Sequence, residues 1–170
     1  MPHLNIEIKA KTSRSKEIRH ILQELGAEFK GTDFQTDTYF NCPEGRLKLR
    51  EGNIEHSLIF YRREDQAGPK ASEVHLYHPQ PGLALKELLT AAFGVWKEVK
   101  KSREIYFVGN VKFHLDHVES LGYFVEIEAI DEKGKLGEAY IRQQCEKYLE
   151  LFEIESSDLL DKSYSDMIQS

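Results

Sequence analysis

The sequence lacks the features that mark several common classes of protein. It has only two cysteines, Cys42 and Cys145, and neither has a metal-ligating partner at close spacing. Two cysteines do not form the disulfide framework of a small secreted domain, so we expect reduced thiols in a cytoplasmic protein. No basic region followed by an apolar run marks a signal peptide at the start. No apolar stretch approaches the roughly 20 residues that cross a bilayer, and we expect no membrane association.

An excess of basic residues is also missing. The formal net charge is −6 and the isoelectric point is about 5.7. Proteins that bind nucleic acids usually have a basic surface, so we expect no nucleic-acid partner, although an acidic chain can contain a local basic pocket. The sequence has no Walker A loop and no dinucleotide-binding fingerprint. Its seven histidines form no convincing zinc-binding pattern.

Charged residues instead alternate with apolar residues in several short segments. The pattern occurs over residues 7–11, 46–50 and 126–128. In a β-strand, every second side chain points to the same face. Each of these segments therefore predicts a strand with one charged face and one apolar face.

The whole chain predicts an α+β protein dominated by antiparallel strands, in a single domain over residues 1–170. Strands are predicted at 4–11, 28–40, 46–51, 57–64, 72–78, 95–108, 111–118 and 123–130. Helices are predicted at about 13–25, 83–93 and 134–152. The remainder, residues 155–170, is a polar tail with a few apolar residues that could dock onto the domain.

The charged faces have two interpretations. Antiparallel sheets often expose one charged face to solvent, and for any single strand this explanation is the simpler one. If the helices cover the apolar face of a curled sheet, however, the charged faces line its interior. Lys and Arg at successive positions of one face repel each other unless an anion lies between them. The pattern as a whole therefore favours a polyanion ligand, such as a triphosphate.

The chemistry of the charged residues suggests two kinds of contact. Arg and Lys bind phosphate oxygens, and carboxylates bind Mg²⁺ or Mn²⁺. Glu126 and Glu128 are two residues apart on one strand, and Glu7 on another strand could complete a metal site. The predicted phosphate-binding residues are Lys9, Lys11, Lys48, Arg50, Arg63, Lys101 and Arg103.

Several ordered segments resemble one known family. They include Asn-Ile-Glu-Ile-Lys from Asn5, Gly-Arg-Leu-Lys-Leu-Arg-Glu from Gly45, Leu-Ile-Phe-Tyr-Arg-Arg from Leu58 and Val-Lys-Lys-Ser-Arg from Val99. The segment from His114, His-Leu-Asp-His-Val-Glu-Ser-Leu-Gly-Tyr-Phe-Val-Glu-Ile-Glu, adds the longest match. Together they resemble the CYTH superfamily, in its class IV adenylate cyclase-like branch, which is related to thiamine-triphosphatase-like enzymes.

This resemblance implies an eight-stranded antiparallel tunnel with helices outside, a triphosphate inside and Mg²⁺ or Mn²⁺ as cofactor. It implies phosphate binding by Lys9, Lys48, Arg50, Arg63, Lys101 and Arg103. It also implies metal binding by Glu7, Glu126 and Glu128. Glu7, Asp116, Lys101 and Arg103 are the expected catalytic residues, with Asp116 orienting a basic group or water. A homodimer is a further expectation.

The chain departs from the family signature at one position. The signature Glu-x-Glu-x-Lys begins here with Asn5, which can offer a metal only a neutral carbonyl oxygen. The first expectation is conversion of ATP to 3′,5′-cyclic AMP and pyrophosphate. The alternatives are hydrolysis of a triphosphate, such as tripolyphosphate, thiamine triphosphate or a nucleoside triphosphate, and a non-catalytic triphosphate-binding module.

Overall fold

Eight antiparallel strands close into a barrel in the computed structural model, which describes residues 2–63 and 66–168. The strands are β1 (His3–Lys11), β2 (Glu28–Phe40), β3 (Arg46–Glu51), β4 (His56–Arg63), β5 (Lys70–Tyr77), β6 (Val95–Val108), β7 (Val111–Val118) and β8 (Gly122–Asp131). They follow the spatial order β1-β5-β4-β3-β2-β6-β7-β8. The predicted α+β fold with an eight-stranded antiparallel tunnel is confirmed.

The helices lie outside the barrel. They are α1 (Ser15–Glu24), α2 (Ala84–Phe93), α3 (Glu138–Leu151) and the short α4 (Tyr164–Met167), with a 3-10 turn at Ser156–Asp158. Helix α3 begins four residues later than predicted because the Asp131 carboxylate accepts hydrogen bonds from the backbone N–H groups of residues 135, 136 and 137. None of the described helices is both long and apolar enough to span a membrane.

The main hydrophobic core lies between the outer face of the barrel and the helices. Ile6 and Ile8 of β1 are buried there with Ile18 of α1 and Ile141 of α3. Because side chains alternate along a strand, their neighbours Glu7 and the other charged residues of β1 must face the inside of the barrel. The apolar rows therefore pack under helices, and the charged rows line a tunnel.

The C-terminal tail packs against the domain and closes one end of this tunnel. Leu159 forms a β-bridge with Ala10, and the backbone N–H of Leu160 donates to the carbonyl of Lys9 over 2.9 Å. Tyr164 then packs in a second buried cluster, edge-on to Phe124. The predicted end of the fourth strand at Glu64 and the last two residues of the predicted tail lie outside the described part of the chain.

Candidate active site

A cavity of about 450 Å³ occupies the tunnel. All eight strands contribute side chains to its wall. The predicted site residues that line it are Glu7, Lys9, Lys48, Arg50, Arg63, Lys101, Arg103, Glu126 and Glu128. The closure of the sheet therefore brings together residues that are far apart in the sequence, from β1, β3, β4, β6 and β8.

Three cations in this wall converge on a single carboxylate. The Arg50 guanidinium donates to both oxygens of Asp37, over 2.9 and 2.8 Å. Lys101 Nζ lies 2.7 Å from Asp37 Oδ2, and Lys48 Nζ lies 3.7 Å from the same atom. We call these four residues the Asp37 cluster. Its cations outnumber its carboxylates, so it has a local excess of positive charge.

The pKa values in the Asp37 cluster reflect this excess. Burial, together with the nearby Arg50 and Arg103, lowers the pKa of Lys101 to about 8 against the attraction of Asp37. Burial and Arg50 lower the pKa of Lys48 well below its usual range. Burial alone would raise the pKa of Asp37, but Arg50 and Lys101 hold it well below its usual range. An anion placed here would stabilise the protonated lysines.

Arg103 forms ion pairs with Asp116 and with Glu126, whose Oε2 lies 3.2 Å from an Arg103 nitrogen. Two Arg103 nitrogens donate to the two Asp116 oxygens, each over 2.7 Å, and the Tyr164 hydroxyl donates to Asp116 Oδ2 over 2.7 Å. Asp116 is buried and does not line the cavity, whereas Arg103 does. Asp116 therefore fixes the position of Arg103 and does not itself face the tunnel space.

Carboxylates gather on the β1–β8 side of the tunnel. Glu7 and Glu128 occupy paired positions on these neighbouring strands, and Glu7 accepts from Arg63. Glu126 lies 3.4 Å from Lys9 Nζ. Burial raises the pKa of Glu128 to about 6; Lys112 opposes this shift, and Glu7, Glu126 and Glu55 add to it. Of these three carboxylates, Glu7 and Glu126 form ion pairs, whereas Glu128 has no cation within ion-pair distance among the described residues.

The carboxylate side fits a divalent cation that shares its coordination with a substrate. Among residues 2–63 and 66–168, no three His, Cys, Asp or Glu side chains already form a metal-binding group. Mg²⁺ commonly uses only one or two protein carboxylates together with phosphate oxygens and water. Asn5 Nδ2 donates to Glu128, and Asn5 Oδ1 is buried with no hydrogen-bond partner in the described chain. The oxygen donors thus suit a hard cation.

The opposite end of the tunnel from Tyr164 opens to solvent. Ile54 and Leu76 line the cavity and are also exposed, which places them at its mouth. Lys112 of β7 bridges to Glu55, in the β3–β4 turn, near this mouth. The tunnel therefore has a closed, cationic end and an open end with apolar residues in its wall.

Comparison with known proteins identifies the family. The CYTH domain matches residues 3–164 of this chain. The chain belongs to the CYTH family. A protein of Methanocaldococcus jannaschii that carries the provisional name adenylate cyclase is 27% identical, with 96% of this chain and 98% of that protein covered.

Solved structures share the CYTH fold of this chain. A protein from Pyrococcus horikoshii OT3 has a TM-score of 0.84 and 26% identity, with 97% of this chain and 99% of that chain covered. A Hippeastrum protein, provisionally an adenylyl cyclase and described as having a dominant triphosphatase activity, has a TM-score of 0.63 and 14% identity. That comparison covers 97% of this chain and 93% of the Hippeastrum chain.

One predicted phosphate-binding residue of this CYTH protein lies outside the tunnel. Lys11 is exposed and lines a surface cleft with Arg14 and Phe152. By the alternation along β1, the Lys11 side chain lies on the same face as those of Glu7 and Lys9. The tail, however, pairs with β1 at Ala10, and the backbone N–H of Leu160 donates to the carbonyl of Lys9. The tail therefore separates Lys11 from the cavity. The prediction for Lys11 as a substrate contact has no support in this geometry.

The structure adds four residues to those that the sequence predicted. Asp37, Glu55, Lys112 and His114 all lie in or against the tunnel wall. The signal for Asp37 was the alternation along β2, where it shares a phase with Gln35. His114 similarly shares a phase with Asp116. Glu55 lies in a turn, where no periodicity could have identified it.

Proposed function

We propose that this CYTH protein is a metal-dependent enzyme that acts on a triphosphate, with conversion of ATP to 3′,5′-cyclic AMP and pyrophosphate as the first candidate reaction. The observation that supports it most is the Asp37 cluster, where Lys48, Arg50 and Lys101 share one carboxylate. A triphosphate supplies several negative charges over a length that can contact these cations together. The M. jannaschii relative's name agrees with this reaction.

The residues of the closed end would hold and polarise the phosphates. Arg50 and Arg103 offer forked donors to phosphate oxygens, while Lys101 offers a compact charge. Because these groups are buried and already fixed by Asp37 and Asp116, they need little reorganisation when charge develops on the phosphates. Their exclusion from bulk water also strengthens each interaction.

Glu7, Glu126 and Glu128 would hold the metal from the β1–β8 side, with Asn5 as a neutral neighbour. A bound Mg²⁺ or Mn²⁺ would supply Lewis-acid stabilisation of the charge on the phosphate oxygens and favour ionisation of the attacking hydroxyl. The carboxylates of the chain would balance part of the charge of such a cation.

Triphosphate hydrolysis is the second candidate, because the Hippeastrum neighbour is described as having a dominant triphosphatase activity. The two reactions share nearly all of their protein contacts. They differ in the phosphorus attacked: the ribose hydroxyl attacks the α-phosphorus in cyclisation, and water usually attacks the γ-phosphorus in hydrolysis.

Product analysis separates these reactions. Purified protein is incubated with ATP, thiamine triphosphate or tripolyphosphate, each with Mg²⁺ or Mn²⁺, and the products are resolved by chromatography. Cyclic AMP and pyrophosphate support the cyclase, and orthophosphate supports the triphosphatase. Tight binding of a triphosphate without any turnover would contradict both reactions and favour the binding module.

A further inference from the structure

His114 is a buried tunnel residue that the proposed function does not use. It lies on β7, is 2% exposed and lines the cavity. Its Nδ1 atom is 2.9 Å from Glu126 Oε2. Its other ring nitrogen, Nε2, is buried and has no hydrogen-bond partner among the described residues. A buried polar atom without a partner is costly in a folded protein, so a ligand contact is a reasonable explanation for it.

The contact with Glu126 defines what His114 can offer. An ionised carboxylate only accepts hydrogen bonds, so Nδ1 carries the proton that bonds to Glu126. In a neutral imidazole, Nε2 is then an acceptor. The charged groups around the ring are Arg103 on β6, Lys112 on β7, Glu126 on β8 and, from the β3–β4 turn, Glu55.

His114 lies between the two ends of the tunnel. On β7 it is two residues from Asp116, which belongs to the closed end with Tyr164, and two residues from Lys112, which bridges toward the mouth. The wall on the mouth side contains uncharged residues: Ile54, Ser57, Ile59, Val74, Leu76 and Ile130. This part of the cavity suits an organic group better than it suits further phosphate.

We infer that His114 is a specificity-determining residue, whose Nε2 accepts a hydrogen bond from a hydroxyl of an organic triphosphate at the junction between the cationic end and the mouth. This inference rests on the proposed triphosphate site. Ionised phosphate oxygens are acceptors and cannot satisfy a second acceptor, whereas a sugar hydroxyl can donate to it. A site that bonds a substrate hydroxyl discriminates against analogues without it.

Calorimetric titration tests this inference without requiring turnover. The ligands are ATP, 2′-deoxy-ATP, 3′-deoxy-ATP and tripolyphosphate, each titrated in EDTA into wild-type protein and the His114→Leu variant. We expect the variant to bind ATP about tenfold more weakly, the effect of one lost hydrogen bond to a buried group. Its affinity for tripolyphosphate should change by less than about twofold, because that ligand has no hydroxyl on carbon.

The deoxy analogues identify the contact. One of them should bind wild-type protein about tenfold more weakly than ATP does, and the His114→Leu variant should bind that analogue and ATP equally. His117→Leu is the matched control, since His117 is an exposed histidine on the same strand. If His114→Leu does not fold, the inference is still tested by comparing the affinities for ATP, its deoxy analogues and tripolyphosphate. This comparison is then made on the wild type and on His114→Gln, which restores a polar group.

Three results would overturn the inference. Equal losses for ATP and tripolyphosphate would show that His114 acts on the phosphates or only supports the fold. Equal wild-type affinities for ATP and both deoxy analogues would show that no ribose hydroxyl is bound. Equal affinities of the wild type and the His114→Leu variant for ATP would show that His114 makes no contact with this ligand. Hydroxyl-dependent binding without any catalysis, by contrast, would support this inference while rejecting the proposed enzymatic function.

Discussion

The tunnel contains two buried acid–base groups that differ in their charge balance. At Asp116, one arginine makes two hydrogen bonds to one carboxylate, and Tyr164 adds a third. At Asp37, one arginine makes the same two-bond contact, but Lys101 and Lys48 approach the same carboxylate as well. Arg103 also reaches Glu126 over 3.2 Å, so its carboxylate partners outnumber it; Arg50 reaches Glu55 over 3.4 Å, but three cations still share Asp37.

This difference separates a cation that the fold requires from cations that it does not require. Removing one partner of a complete buried pair leaves an uncompensated charge, which is strongly destabilising. In a group whose cations outnumber its carboxylate, removing one cation relieves the repulsion among them. The free energy of unfolding should therefore change little. The surplus cations therefore matter for an anionic ligand rather than for the fold, and substitutions in the two groups should differ in how much they lower the free energy of unfolding.

The largest expected effect is on stability. Arg103→Met leaves the buried Asp116 with only the Tyr164 hydroxyl, so we expect the free energy of unfolding to fall by about 3 kcal/mol. Lys48→Met leaves Asp37 with Arg50 and Lys101, so the loss should be below about 1 kcal/mol. Urea unfolding of both variants measures the two values. Similar losses in the two variants would reject the distinction between the groups.

The next effect is on turnover. Arg50→Ala removes the forked donor of the Asp37 cluster, and we expect the rate to fall at least tenfold, which corresponds to about 1.4 kcal/mol of transition-state stabilisation. Glu126→Ala, on the carboxylate side, should lower it by a similar factor. Arg62→Ala is the control for losing an arginine, since Arg62 is exposed on β4 and faces away from the tunnel. An unchanged rate in Arg50→Ala would exclude Arg50 from the site.

A smaller effect concerns pH. Because the pKa of Glu128 is raised to about 6, this carboxyl becomes protonated as the pH falls through that value and then cannot bind a cation. We expect Mn²⁺ affinity to be about twofold weaker at pH 6 than at pH 7.5. Titration of Mn²⁺ followed by electron paramagnetic resonance measures it. Glu128→Gln should remove this dependence, and a variant that retains it would assign the titration to another group.

Much of this fold was predictable because the strands alternate so regularly. Along β1, apolar Ile6 and Ile8 require an apolar environment, whereas the alternating Glu7 and Lys9 require a polar one. Only a strand between an apolar layer and a charged space satisfies both requirements. The first and last residues of β2 and of β6 agree with the predicted strands 28–40 and 95–108 for the same reason. The family resemblance then supplied the closure of the sheet into a tunnel, which local patterns do not specify.

The rest depended on contacts between distant parts of the chain. No sequence feature near Lys11 shows that the tail pairs with β1 beside it. Because Lys11 lies on the same face of β1 as Glu7 and Lys9, it was predicted to bind phosphate. The contact of Tyr164 with Asp116 was not predicted, because it joins positions far apart in the sequence. Cytoplasmic location, a homodimer and the absence of a nucleic-acid partner stay predictions.

The most direct test of the account is a calorimetric titration of tripolyphosphate into wild-type protein and the Lys48→Met variant. The account predicts one binding site in the wild type and an affinity at least tenfold lower in the variant, since a charge-assisted contact to phosphate is lost while the fold is retained. Equal affinities, or no binding to the wild type, would contradict the claim that the surplus cations at Asp37 form a triphosphate site.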